Sequence, residues 1–266
     1  MRRSRHSRTS GRQQALGDLF APDALEGEPA AQGADAGFSL RPFAAELPRG
    51  PGVDAHPEAP EAPSERLVRV AREAARAGRG GDALTAFAEL FEADPGHLAG
   101  RIECARLHES RGEFEEADEH LTLAVQRHPD LPEALMARGA FLARRKRHPE
   151  AEADLQRAVR LAPEAAEAHF ALGFALWRRG VAADAAGHLR RAAALDPARA
   201  DVAHYLGEAL HQAGDDAGAL EALERSTALD ATNPKPFHLM GRVLDRLGRP
   251  EEAREMYRRA REVSPR

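Results

Sequence analysis

The chain has 266 residues, one cysteine and a formal net charge of −5. A single cysteine, Cys104, excludes a disulfide framework within the chain, and the excess of acidic residues gives no general attraction to nucleic acid. No apolar run approaches the ~20 residues of a transmembrane helix, and the arginine-rich start lacks the apolar stretch of a secretory signal, so a cytoplasmic location is predicted.

Residues 1–63 differ in composition from the rest of the chain. They are rich in proline, glycine, alanine and charge, and they show no sustained hydrophobic periodicity. Because such a segment buries too little apolar surface to offset the entropy of folding, it is predicted to be a disordered tail. Five arginines precede its first acidic residue and nine acids follow, so binding of this tail to nucleic acid or an anionic surface stays open.

From residue 64 onwards the chain repeats with a period of 34 residues. Each period has a small residue within its first half, a break, a second amphipathic stretch and, in five of six cases, a closing proline. The break is carried by glycine except in the third period, where Lys146 replaces it. The six segments are 64–97, 98–131, 132–165, 166–199, 200–233 and 234–266. The small residues are Ala71, Ala105, Gly139, Gly173, Gly207 and Gly241.

These signals resemble the tetratricopeptide repeat family, in which each 34-residue repeat forms two antiparallel helices. The resemblance covers residues 64–266 and implies six repeats in an all-α, right-handed α-solenoid. In such repeats, small residues let paired helices approach closely, and large apolar residues fill the seams between pairs. Arg101, Arg138 and His169 stand where apolar residues are usual, so looser packing is expected around repeats two and three.

The resemblance implies a noncatalytic scaffold or adaptor whose first helices line a concave groove that binds a peptide or partner protein. In repeat four, Phe170, Phe174 and Trp177 are spaced i, i+4 and i+7, which places a second apolar stripe outside the core positions. An apolar patch flanked by polar residues is a usual sign of an interaction site. The neighbouring repeats continue this surface with Met136, Ala140, His204, Tyr205 and His238. The alternative is that a tight superhelix buries the stripe between successive first helices.

Arginines border the predicted groove. Because arginine pairs bidentately with carboxylates, the predicted ligand is a peptide with hydrophobic anchors and acidic flanks. Glu103, Glu109 and Glu208 also fall on this face, and salt bridges are expected to consume part of the positive charge. The arginines are Arg69, Arg72, Arg76, Arg106, Arg144, Arg178 and Arg242.

The sequence predicts no catalytic residue, cofactor, metal site or small-molecule substrate. It contains no phosphate-binding glycine loop and no nucleophile elbow. His204 and His211 are seven residues apart, about 10 Å along a helix, which is too far to bind one ion together. Cys104 falls in a core position and is predicted to be a small buried residue.

Two other features of the family bear on the partner. Chaperone-binding members hold a terminal carboxylate with paired asparagines and lysines, and Asn233 is the only asparagine, so this clamp is not predicted. The six-repeat architecture is also similar to the pilotin lipoproteins that assist pilus secretion. Those proteins need an N-terminal lipid-attachment cysteine, and Cys104 is the only cysteine. A role as an assembly factor or co-chaperone for a pilus or secretion complex is therefore an alternative. The near-exclusive use of arginine over lysine is typical of a GC-rich bacterial genome.

Overall fold

The structure is a computed structural model that describes residues 62–264, and within them the chain forms twelve α-helices and no strand. The predicted disordered tail, apart from its last two residues, lies outside this range. None of these helices is long and apolar enough to span a bilayer. The helices are α1 (Pro63–Arg76), α2 (Gly80–Ala93), α3 (Leu98–Ser110), α4 (Phe114–Arg127), α5 (Pro132–Arg144), α6 (His148–Leu161), α7 (Ala166–Arg179), α8 (Ala182–Leu195), α9 (Ala200–Ala213), α10 (Asp216–Leu229), α11 (Pro234–Arg246) and α12 (Pro250–Val263).

The helices pack as six consecutive pairs, from α1 with α2 to α11 with α12. The second helix of each pair contacts the first helix of the next pair, and successive first helices also contact one another. The predicted all-α solenoid of antiparallel helix pairs is therefore confirmed for residues 62–264. We call the surface formed by α1, α3, α5, α7, α9 and α11 the first-helix face.

A residue with left-handed backbone conformation follows the first helix of every pair. Five of these residues are glycines, with φ between +71° and +87°, and the sixth is Lys146, with φ of +60°. The next residue, Arg147, donates its N–H to the carbonyl oxygen of Leu142 at 2.9 Å, which closes the helix as in the glycine-ended pairs. The break predicted from sequence is therefore a helix-ending turn, although a non-glycine residue occupies it in the third pair.

Small residues occur where the two helices of a pair come closest. A Cβ atom added to Gly173 of α7 would lie 2.7 Å from Leu189 Cγ and 3.2 Å from the carbonyl oxygen of Ala185, both on α8. Gly139 and Gly207 would meet equivalent leucines at 2.6 Å. Any larger side chain at these positions therefore has to push the helices of the pair apart.

The three polar residues at expected apolar positions all have polar partners. Arg138 Nε and Nη2 donate to the two carboxylate oxygens of the buried Asp154 at 2.7 and 2.8 Å. Arg101 and His169 each donate to the carbonyl oxygen of the proline six residues earlier, at 3.0 Å in both cases. Polar pairing thus replaces the apolar contacts that the family usually has there. Cys104 is buried, as predicted.

Candidate functional site

Four aromatic rings form a cluster where α7 meets α9. The Tyr205 ring lies at the centre, 4.8 Å from Phe174 in an edge-on arrangement, 5.2 Å from Trp177 and 5.9 Å from Phe170. Edge-on and tilted aromatic pairs contribute about 0.5–1.5 kcal/mol each beyond the area that they bury. The predicted stripe on repeat four is therefore joined to repeat five by a set of mutually supporting rings.

Most of the residues that were predicted to form the apolar surface of the groove are buried. Phe170 is 2% exposed and Phe174 6%, and Met136, Ala140 and His204 are also buried. The cause is the direct contact between successive first helices, which covers side chains that the helical pattern alone leaves outside the core. These five residues are therefore corrected from an open docking surface to the support beneath it.

The members of the cluster that reach the surface are Trp177 and Tyr205, both half-buried. Arg178 is also half-buried, and its Cζ atom lies 6.0 Å from the centre of the Phe174 ring. Further along the first-helix face, His238 and Arg242 of α11 are exposed. The surface that a partner can touch is thus a tryptophan–tyrosine pair bordered by cationic and histidine side chains.

Two buried polar atoms beside this pair have no hydrogen-bond partner among the residues that the structure describes: Trp177 Nε1 and His204 Nδ1. Burial, together with the charge of Lys235, lowers the pKa of His204 to about 4, so its imidazole is neutral near pH 7. Burial also raises the pKa of Glu208, whose Oε1 lies 3.9 Å from His204 Nε2. Leaving a buried donor or acceptor unpaired costs about 1–3 kcal/mol.

Acidic residues consume part of the basic border, as expected. Arg144 forms a bidentate pair with Glu109 at 2.6 and 2.7 Å. Glu103 lies 3.4 Å from Arg72 and 3.6 Å from Arg106. Arg69 pairs with Glu73 at 3.3 Å. Arg76, like Arg69 and Arg106, remains exposed to solvent.

One residue that supports the cluster was not predicted from sequence. Arg199 lies in the connection before α9, yet it is only 5% exposed, because its guanidinium packs 4.4 Å from the centre of the Phe170 ring. It pairs with Glu167 of α7 and, at 2.7 Å, with Asp201 of α9. A charged residue just after an inter-repeat proline is normally predicted to lie in a solvent-exposed loop. No local sequence pattern therefore indicates that Arg199 is buried.

Family models described as tetratricopeptide repeats match residues 74–140, 148–200, 170–234 and 234–266. No curated protein matches the chain. Among solved structures, PilW, described as a widely conserved type IV pilus biogenesis factor, is 20% identical and has a TM-score of 0.66 over 73% of this chain and 90% of its own. PilF of Pseudomonas aeruginosa is 19% identical, with a TM-score of 0.64 over 73% and 88%. YrrB, described as a TPR protein with an unusual peptide-binding site, is 22% identical, with a TM-score of 0.54 over 67% and 92%.

Proposed function

Because the chain belongs to the tetratricopeptide repeat family, we propose that it is a noncatalytic adaptor that binds a peptide or partner protein on its first-helix face. The observation that carries this proposal is the half-exposed pair of Trp177 and Tyr205, which rests on the buried rings of Phe170 and Phe174. Aromatic side chains held rigid in this way lose little conformational freedom on binding, and they are frequent among the residues that dominate binding energy.

The cluster also indicates what chemistry the partner has. An apolar side chain of the ligand packs against the exposed parts of the Trp177 and Tyr205 rings. Acidic residues of the ligand pair with the exposed Arg242. The proposed ligand is therefore an extended or helical peptide with an apolar anchor and acidic flanks. A peptide ligand is consistent with the likeness in fold to YrrB, which is described for its peptide-binding site.

Peptide selection followed by affinity measurement tests this proposal. Peptides from a random displayed library are selected on the full chain, and we expect them to share an apolar residue flanked by Asp or Glu. Replacing Trp177 with alanine removes the anchor contact and is expected to weaken binding of a selected peptide by about 2 kcal/mol, or roughly 30-fold in Kd. Tyr205→Phe keeps the ring and is expected to change Kd by less than threefold, if the hydroxyl contributes under about 0.5 kcal/mol.

The control for these variants is Leu229→Ser, a substitution of an exposed apolar residue at the end of α10, a second helix. It is expected to leave the Kd unchanged. Thermal unfolding of every variant checks that the repeats remain folded. If selected peptides bind folded Trp177→Ala as tightly as wild type, the first-helix face around α7 and α9 is not the binding site.

An assembly role in a pilus or secretion complex is the second candidate, and the likeness to PilW and PilF favours it. At 19–20% identity this likeness concerns the fold, so the candidate is tested through the partner. If the peptides selected on the first-helix face match segments of pilus or secretion subunits and those subunits bind the intact chain, the adaptor serves such a complex.

A third candidate is that residues 1–12 bind nucleic acid or another anionic surface. This candidate predicts salt-sensitive binding to DNA that disappears when these residues are deleted.

A further inference from the structure

A cysteine and two histidines meet inside the second helix pair. Cys104 and His108 lie four residues apart on the same side of α3, and His120 of α4 faces them. One potential ligand atom from each residue lies within 4.8 Å of the other two. Cys104 is buried, and the two histidines are partly buried. The adaptor function proposed above uses none of these side chains.

The separation of the donors suits a tetrahedral ion. Cys104 Sγ and His120 Nε2 are 3.4 Å apart. With Zn–S and Zn–N bonds of about 2.3 and 2.05 Å, tetrahedral angles place sulfur and nitrogen about 3.5 Å apart. This pair can therefore accept an ion between the atoms with little change in their separation, and only the third donor has to move closer.

The third donor, His108, is already prepared for ligation. Its Nδ1 lies 2.7 Å from Glu113 Oε2, and because the carboxylate can only accept, the proton sits on Nδ1. This leaves Nε2 with its lone pair available. A carboxylate that holds the far nitrogen of a histidine in this way is the usual support of a metal-binding histidine, since it fixes the tautomer and raises the basicity of the ligand.

We propose that Cys104, His108 and His120 form a binding site for a Zn²⁺-class divalent ion, with water as the fourth ligand. A thiolate and two imidazoles are the donor set that such ions prefer over Mg²⁺ or Ca²⁺. Binding exchanges the thiol proton of Cys104 for the metal and releases that proton to solvent. Because the ligands come from α3 and α4, the bound ion links the two helices of the second pair.

Arg101 opposes the ion in this arrangement. Its Nη1 lies 3.0 Å from His120 Nδ1, and since guanidinium only donates, Nδ1 accepts and the imidazole proton is on Nε2, facing the sulfur. Ligation through Nε2 moves that proton to Nδ1 and requires Arg101 to withdraw. Arg101→Met removes both the hydrogen bond and the positive charge, so it is expected to tighten metal binding at least tenfold.

The fourth pair supplies a matched control. His188 occupies the position equivalent to His120, two periods further along the chain, and its Nδ1 lies 3.2 Å from that of His169. Leu172 and Leu176 replace Cys104 and His108 there. This second histidine pair thus lacks the thiolate and the third donor, and His188→Ala is expected to leave metal binding unchanged.

Cobalt titration of the full chain after chelator treatment tests the site. Because Cys104 is the only cysteine, a thiolate-to-cobalt absorption band that saturates at one Co²⁺ per chain, accompanied by tetrahedral d–d bands and bleached by Zn²⁺, reports this site alone. We expect the bands in wild type and His188→Ala, and their loss in Cys104→Ala, His108→Ala and His120→Ala. At a free Zn²⁺ concentration of 100 Kd, the folded-to-unfolded ratio of wild type should rise about hundredfold.

Absence of the 1:1 thiolate band in wild-type protein overturns the proposal, whatever the variants do. Bands that survive in folded His108→Ala and His120→Ala, or that are lost equally in His188→Ala, also overturn it. An unchanged or weaker Co²⁺ affinity in Arg101→Met contradicts ligation through His120 Nε2.

Discussion

Replacing Lys146 with glycine is expected to stabilise the protein, which is unusual for a substitution that adds flexibility to the unfolded chain. Lys146 has φ of +60°, at a position where the other five helix pairs use glycine. The left-handed conformation costs a residue with a Cβ about 1–2 kcal/mol. Replacement by glycine removes this cost, but about 0.4–1 kcal/mol of the gain is lost because glycine increases the entropy of the unfolded state. The net gain is therefore about 0.5–1 kcal/mol, or roughly 1–4 °C in Tm for a folded region of this size.

Gly180→Ala provides the opposite substitution in the fourth pair. Gly180 has φ of +84°, and a Cβ added there would meet no atom within 4 Å, so any effect comes from the backbone alone. We expect a loss of about 1 kcal/mol. Both variants are measured by thermal and urea unfolding beside wild type. A Tm for Lys146→Gly at or below that of wild type would refute the account of this turn.

Two further predictions concern buried charge and pH. Asp154→Ala leaves Arg138 without its bidentate partner and is expected to lower the free energy of unfolding by about 2 kcal/mol, less than for a fully buried pair because Arg138 is partly exposed. Replacing both residues with leucine is expected to recover most of that loss, as measured by urea unfolding. A double variant no more stable than Asp154→Ala would contradict this. Burial lowers the pKa of His204 to about 4, so its side chain stays neutral in the folded protein at pH values where it is already protonated in the unfolded chain, that is, below pH 6.5. Its contribution to stability is therefore present above pH 6.5, and the free energy of unfolding is expected to fall by up to about 3 kcal/mol as the pH drops from 6.5 to 4. Because the raised pKa of Glu208 acts in the opposite direction, the measurement is the difference in stability between wild type and His204→Gln across this range, and a pH-independent difference would show that His204 is not held neutral.

The sequence predicts the helix pairs well because their signals are local. A 34-residue period, a left-handed turn residue and a small residue at the helix crossing all act within one pair, as Gly173 and its contact with Leu189 show. The exposure of the apolar stripe on α7 cannot be predicted in this way, because it depends on how closely α9 lies beside α7. No local pattern gives that distance, and Phe170 and Phe174 were therefore expected at the surface although they are buried.

Polar partners from a neighbouring helix are equally hard to predict. Arg138 reads as a misplaced charge until Asp154, sixteen residues later, is seen to lie opposite it. The pair of Cys104 and His108 does carry a local signal, because a spacing of four puts both on one helix face. That spacing becomes informative only when the fold adds His120 from α4.

The central claim, that a peptide binds beside Trp177, is tested most directly through the indole N–H. The chain has one tryptophan, so a ¹⁵N-labelled sample gives a single indole cross-peak, and this peak reports Trp177 Nε1 alone. On addition of a peptide selected on the protein, we expect the indole cross-peak to shift as the ligand packs against the exposed part of the Trp177 ring, with a midpoint that matches the Kd. An indole peak that stays in place at saturating peptide would contradict the proposed site.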